Sequence, residues 1–163
     1  AIWLTHAHLD HVGAIADGKR QWDVPVHLHP LDRVKSDLAP RAAQMYGLPW
    51  TPQPAPDREF AEGETLALGD LRFQVWHCPR HAPGHVVIHG HGIALVGDCL
   101  VYDSVGRTDL PGSNPKDLSR SLERLATLPP ATHVLPGHGP RTTIGRERAE
   151  NAFMNGGARV LGG

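Results

Sequence analysis

The segment that most constrains this chain is Thr5-His6-Ala7-His8-Leu9-Asp10-His11, which follows the short apolar run Ile2 to Leu4. The run favours a buried strand that feeds a loop. Two histidines that stand two apart in extended chain project to the same side, so both imidazoles can meet one cation. Asp10 and His11 follow where the chain turns into a helix. They are expected to point to a second spot roughly 3.5–4 Å further on, the separation typical of two-metal hydrolytic sites.

The alternative interpretation is a histidine-rich surface loop that binds metal only adventitiously. Twelve histidines is a high count for 163 residues, however, and seven of them fall in three clusters. The clusters are His6, His8 and His11; His77, His81 and His85; and His138 alone between two glycines. Five histidines are interpreted as surface or turn residues, namely His27, His29, His89, His91 and His133. The two cysteines, Cys78 and Cys99, are interpreted as small core residues.

The order strand, loop, helix, strand at the start of the chain indicates an α/β protein. A short helix is predicted after His11, ending around Asp17-Gly18, and the next strand over Val24 to Leu28. The proline-rich stretch from Pro40 to Pro56 is predicted to be an extended excursion without regular structure. It would either wall a substrate cleft or form a surface connection.

Two hairpins and a helix are predicted in the second half of the chain. The first hairpin pairs residues 65–68 with 71–75 around Gly69-Asp70, and the second pairs 86–88 with 93–96. Leu118, Leu122 and Leu125 fall at helical spacing after Pro115. A last short strand over 132–135 leads to His138.

Composition favours a single domain over residues 1–163 and argues against two classes of partner. Sixteen basic against seventeen acidic side chains, with no basic run, argue against nucleic acid and anionic membranes. No stretch approaches the ~20 apolar residues of a membrane helix, and the apolar start is too short for a signal peptide. With two cysteines, too few to staple a secreted scaffold, a cytoplasmic location is expected.

Together these motifs resemble the metallo-β-lactamase superfamily. Residues 5–11 resemble its HxHxDH motif, Pro79 to His85 its proline-glycine-histidine loop, Val96-Gly97-Asp98 the strand end that bears the bridging aspartate, and Pro136-Gly137-His138-Gly139 the loop of the last histidine. The resemblance implies an αββα sandwich that lacks the usual N-terminal strands. It also implies two divalent metal ions, with zinc expected and iron or manganese as alternatives. The implied ligands are His6, His8 and His81 for one metal and Asp10, His11 and His138 for the other, with Asp98 between them.

Further segments are similar to small glyoxalase II-like hydrolases, namely Gly106-Arg107-Thr108-Asp109-Leu110-Pro111 and Thr142 to Glu147. Asp98 stands where class B1 β-lactamases have a cysteine, which favours a bridged dinuclear site. The implied function is hydrolysis of a small-molecule thioester, of the hydroxyacylglutathione kind, by a metal-bridged hydroxide that forms near neutral pH. Asp10 would orient the hydroxide, and Asp98 would hold the metals at bridging distance.

Three alternatives to thioester hydrolysis stay open at this point. One is a persulfide dioxygenase with a single iron, and another is a lactonase or other ester hydrolase of the same fold. A non-catalytic metal-binding or interaction module is the third.

Two features depart from the family pattern. Arg80 takes the place of the glycine that usually precedes the ligand histidine, and it is expected to alter the loop or to reach an anionic substrate. The chain also enters the fold at the HxHxDH motif, so an incomplete N-terminus is expected. Self-association through exposed apolar sheet surface is expected if the earlier strands are absent.

Overall fold

The computed structural model describes residues 1–79, 82–107 and 115–158. The predicted ligand His81, its neighbour Arg80 and residues 108–111 lie outside these ranges. Within the described residues the strands are β1 (Ile2–Trp3), β2 (Val26–Leu28), β3 (Arg58–Glu59), β4 (Thr65–Leu68), β5 (Leu71–His77), β6 (Val86–Gly90), β7 (Ile93–Gly97), β8 (His133–Pro136) and β9 (Thr142–Thr143). The α-helices there are α1 (Leu9–Val12), α2 (Ile15–Trp22), α3 (Arg33–Met45), α4 (Pro115–Leu125) and α5 (Ile144–Glu150).

These strands form two sheets. The smaller sheet has the order β1-β2-β3 with parallel pairs, and β1 meets β2 at Ile2 and Val26. The larger sheet runs β4 to β9 in sequence order. Its neighbours are antiparallel except for β7 and β8, which are parallel, so the chain leaves both strands at the same edge.

Three buried clusters show how the sheets and helices are layered. Helices α1, α2 and α3 pack on one face of the small sheet around Val12, Ile15 and Ala39. Phe60 beside the small sheet packs with Phe73 and other residues of the large sheet, so the two sheets lie face to face. The opposite face of the large sheet is covered by α4 and α5. This confirms the predicted αββα sandwich, in which each sheet buries one face against helices and the other against its partner.

Both predicted hairpins are present, β4 with β5 and β6 with β7. The predicted end of the first helix was wrong, because α2 continues past Gly18 to Trp22. A Cβ at position 18 would lie 3.0 Å from the Ile2 side chain, so the glycine permits close packing of α2 on β1 and does not stop the helix.

The prediction that residues 40–56 lack regular structure was wrong for its first part. Helix α3 includes Pro40 and continues to Met45. A proline inside a helix removes one backbone hydrogen bond, and burial of Ala39 and Ala43 on the same helix face offsets this loss. Beyond the helix the stretch has no helix or strand up to β3, and Trp50 packs against the cluster beneath α3.

The interpretation of His27 as a surface or turn residue was wrong, because it is buried within a strand. His29 does lie at a turn, directly before a short 3-10 turn, but its side chain is buried as well. His27 lies in β2, and the His29 ring stacks on that of His77 at 4.2 Å between centroids. Burial lowers the pKa of both imidazoles, which favours the neutral form that a core histidine needs. Cys78 and Cys99 are both buried in the core, as predicted. None of the helices in the described ranges combines the length and apolar character that a membrane crossing requires.

Candidate metal centre

The predicted ligands of the described chain converge at one edge of the two sheets. His6 and His8 follow β1, and Asp10 and His11 lie on the short helix α1. Asp98 follows β7, and the loop after β8 carries His138; these parallel strands end side by side, where Gly97 pairs with Pro136. The Val86 amide donates to the carbonyl of Thr5 at 2.8 Å, which joins the first ligand loop to the large sheet. Strand ends from both sheets therefore deliver side chains to one place.

The Asp98 carboxylate lies among three imidazoles. Its Oδ1 is 3.4 Å from His11 Nε2. Its Oδ2 is 3.9 Å from His6 Nε2 and 3.7 Å from His138 Nε2. Ligand atoms that share a tetrahedral cation at about 2.0–2.1 Å stand about 3.4 Å from one another. These separations suit coordination of a cation better than direct hydrogen bonds, which have their usual range at about 2.7–3.2 Å.

Two groups of potential ligands within the described residues are compact enough to hold a cation. One comprises His6, His11 and Asp98, and the other Asp10, His11 and His138, with the ligand atoms of each group within 4.8 Å of one another. In the second group the Asp10 Oδ2 atom is 2.8 Å from His138 Nε2 and 3.5 Å from His11 Nε2. His11 belongs to both groups, so it stands at the junction of the candidate centre.

His8 belongs to neither group in this part of the chain. Its ring lies 4.8 Å from that of His6, edge to face, and its Nε2 atom is 3.2 Å from Lys35 Nζ. The resemblance to the superfamily implies that His8 shares a metal with His81, which lies outside the described residues. The ligand role of both histidines stays a prediction. Lys35 itself was missed by the sequence reasoning, because no motif marks a lysine on α3 as a neighbour of the ligand loop.

The electrostatics of this group favour a cation. Burial lowers the pKa of His11, but the neighbouring Asp98 carboxylate, with the charge of Asp10, outweighs burial and raises the pKa. The negative potential that favours a proton on His11 also favours a divalent ion beside it. The charge and the spacing of the described ligands thus both fit a metal centre.

Two glycines next to predicted ligands allow the loops to come this close. A Cβ at Gly137 would lie 2.5 Å from Asp98 Oδ1 and 2.7 Å from His11 Cε1. A Cβ at Gly97 would lie 2.5 Å from Thr5 Oγ1, and this glycine has φ of +47°. A larger residue at Gly137 would push into the predicted ligands, and one at Gly97 would push into Thr5, directly before the ligand His6. In the sequence, the sign that these glycines matter is that Gly97 directly precedes Asp98 and Gly137 directly precedes His138.

Asp32 links the two loops that carry predicted histidine ligands, and the sequence reasoning missed it. Its side chain is fully buried. Oδ2 accepts the Ala7 amide at 2.8 Å, between His6 and His8, and Oδ1 accepts the Gly84 amide at 2.6 Å in the loop after His81. A Cβ at Gly84 would lie 2.9 Å from Oδ1, so the close approach requires glycine there.

We expect Asp32→Ala to lower the free energy of unfolding by about 2–4 kcal/mol, because two buried amides lose their acceptor. We also expect weaker metal retention, since both loops would lose their common brace. Asp32→Asn keeps one acceptor oxygen and should lie between wild type and Asp32→Ala. Denaturant unfolding and metal titration measure the two effects. The control is Asp37→Ala, an exposed carboxylate on helix α3, which begins directly after Asp32, and equal stability of the two alanine variants would contradict the proposed brace.

A cavity of about 900 Å³ opens over the candidate centre. Asp10, Asp98 and His138 lie at its base, and helix α3 forms one wall. Its volume falls within the range of small-molecule pockets, about 300–1,000 Å³.

Comparison with known proteins agrees with this geometry. Residues 1–138 match the model of the metallo-beta-lactamase superfamily. The chain is 40% identical to the "Probable metallo-hydrolase YqgX" of Bacillus subtilis over 96% of this chain and 76% of that protein. It is 38% identical to the "Hydroxyacylglutathione hydrolase GloC" of Haemophilus influenzae over 94% of this chain and 75% of that protein. A crystal structure of TTHA1623 in a di-iron-bound form superposes with a TM-score of 0.86 at 49% identity, covering 94% of this chain and 76% of that one. The chain therefore belongs to the metallo-beta-lactamase superfamily, as a metallo-hydrolase.

Proposed function

We propose that this metallo-hydrolase cleaves small-molecule thioesters with two divalent metal ions, zinc being expected and iron or manganese the alternatives. The observation that carries the proposal is the position of Asp98, whose two oxygens lie 3.4 Å from His11 and 3.7 Å from His138. The similarity to a hydroxyacylglutathione hydrolase supports a thioester substrate. The di-iron form of TTHA1623 supports a dinuclear centre.

In the proposed reaction, the oxygen of a water molecule forms a bond with the acyl carbon, and the carbon–sulfur bond breaks. The products are a carboxylic acid and a thiol, and the leaving sulfur takes up the proton that the water loses. Bound divalent ions would supply Lewis acidity and lower the pKa of a water molecule toward neutrality.

The side chains of the centre divide the remaining work. One ion would be held by His6 with the predicted ligands His8 and His81, and the other by Asp10, His11 and His138. Asp98 lies between the two sets. Asp10 is half exposed at the base of the cavity and lies 2.8 Å from His138, so it can orient the attacking water and accept its proton.

The second group also bears on the dioxygenase alternative. A single iron on two histidines and one aspartate would use Asp98 and two histidines from the set His6, His8 and His81. It would give no role to the compact group of Asp10, His11 and His138. This second group favours the dinuclear hydrolase.

The test pairs elemental analysis with a thiol-release assay on S-lactoylglutathione, using the same purified sample. We expect about two metal ions per chain and thiol release that a chelator abolishes and added zinc, iron or manganese restores. The control is His133→Ala, an exposed histidine outside both ligand groups.

Two other results would contradict the proposal. One iron per chain without hydrolysis, but with oxygen uptake on a glutathione persulfide, would indicate the dioxygenase. Two metal ions with hydrolysis of lactones only would indicate an ester hydrolase of the same mechanism.

A further inference from the structure

Helix α3 presents apolar side chains to solvent beside the candidate centre. The exposed residues along this helix and at its two ends recur at helical spacing, namely Leu31, Val34, Leu38, Met45 and Tyr46. A surface helix normally turns such a stripe toward the core, but the buried face of α3 is instead formed by Ala39 and Ala43. The exposed stripe needs an explanation other than packing within the described chain.

The stripe lines the cavity that opens over the centre. The wall of α3 continues to a base that includes Asp10, Asp98 and His138, and Val101 and Val105 line the cavity from the other sheet layer. An apolar group bound on α3 would therefore lie next to the predicted ligands. A contiguous apolar surface that ends at reactive groups is the usual construction of a small-molecule site.

Among the described residues that line the cavity, the charged side chains other than the predicted ligands are cationic. They are Lys35 and Arg41 on α3 and Arg107 in the segment after β7. This lining matches a substrate that carries an apolar group on one side of the scissile bond and an anionic group on the other. In a glutathione thioester the carboxylates lie on the thiol side, so the apolar group is the acyl chain.

We propose that the α3 wall is the acyl-binding site of the enzyme and that it selects anionic thioesters with an apolar acyl chain. This inference rests on the thioester hydrolysis proposed above. Leu38 is a specificity-determining residue in this arrangement, because it lies in the middle of the exposed stripe. Each methylene that α3 covers fully would raise kcat/KM about fourfold, and partial coverage of a longer chain still gives a large preference.

The experiment compares S-acetyl-, S-butanoyl- and S-hexanoylglutathione, which share one thiol, by thiol release from the metal-loaded enzyme. We expect kcat/KM to rise at least about tenfold from the acetyl to the hexanoyl substrate. Leu38→Asp should remove most of this preference, because a charged carboxylate on the wall replaces the apolar surface that the acyl chain would cover. Val34→Ser is a milder second variant on the same stripe.

Leu48→Asp is the matched control. Leu48 is 52% exposed and lies outside the cavity, whereas Leu38 is 51% exposed and lies on its wall. The acyl preference of Leu48→Asp should equal that of wild type. Equal kcat/KM for all three substrates, or an equal effect of the two aspartate variants, would overturn the acyl-binding site. So would dissociation of a dimer by Leu38→Asp without a change in acyl preference, because a second copy would then cover α3.

Failure of the proposed function is separable from failure of this inference. No thiol release from any thioester would overturn thioester hydrolysis. Binding of the unreactive thioethers S-methyl- and S-hexylglutathione to the metal-loaded protein then tests the wall alone. Tighter binding of the hexyl compound, lost in Leu38→Asp, would support an apolar site on α3, and equal affinities would overturn it.

Discussion

Asp98→Ala is expected to lose bound metal and to lower kcat/KM for thioester hydrolysis by about a thousandfold or more. The Asp98 carboxylate is buried and lies within 4 Å of His6, His11 and His138. Asp98 supplies negative charge between the imidazoles. Without it, less negative charge would offset the repulsion between two bound metal ions. Elemental analysis and thiol release on the same sample measure both losses.

Asp98→Asn separates charge from shape in this prediction. The amide keeps the size and one carbonyl oxygen, so partial metal retention with a large loss of activity is expected. Asp70→Ala, in the exposed turn between β4 and β5, is the control for loss of a carboxylate. An Asp98→Ala protein that keeps about two metal ions and nearly full activity would refute the bridging role.

His11→Ala and His138→Ala are each expected to lose about one of the two metal ions. Both side chains belong to the group that includes Asp10, and one imidazole nitrogen binds a single cation. We therefore expect about one metal ion to remain in each variant, with activity down by about a hundredfold or more. Metal titration of the apo protein measures this stoichiometry.

His8→Ala provides the sharpest comparison within the same set. The HxHxDH motif predicts His8 as a ligand, while in the structure its Nε2 atom faces Lys35 at 3.2 Å. As a ligand together with His81, His8 should lower metal content as His138 does. Full metal content in His8→Ala, measured beside His133→Ala, would instead assign His8 a contact role with Lys35.

Much of the fold could be predicted because its signals are local. The alternation in residues 65–75 predicts a hairpin because side chains on a strand point to opposite faces, and that hairpin is present as β4 and β5. Leucines at positions 118, 122 and 125 predict a helix with one buried face, and α4 packs with all three in the core. Local signals failed at Gly18 and Pro40, where packing on β1 and burial of alanines outweigh helix-breaking tendencies.

The sequence by itself determined the residue types and spacing of the candidate centre. Six of the seven predicted ligands lie in the described residues, and all six lie at the edge of the sheets where the centre is found. It also determined the order of elements that carries them there. Only the tertiary structure decided which ligands share a group, and it placed His11 in both.

The tertiary structure also decided which residues support and surround the centre. Asp32 joins amides that lie 25 and 52 positions away, and a contact of that span depends on how the two sheets stack. The exposed stripe of α3 likewise acquires a role only from its position beside Asp98 in the folded chain. Local spacing fixes what a loop can bind, since neighbouring side chains share one backbone geometry. Contacts between distant segments depend on the packing of the whole core, which no local pattern encodes.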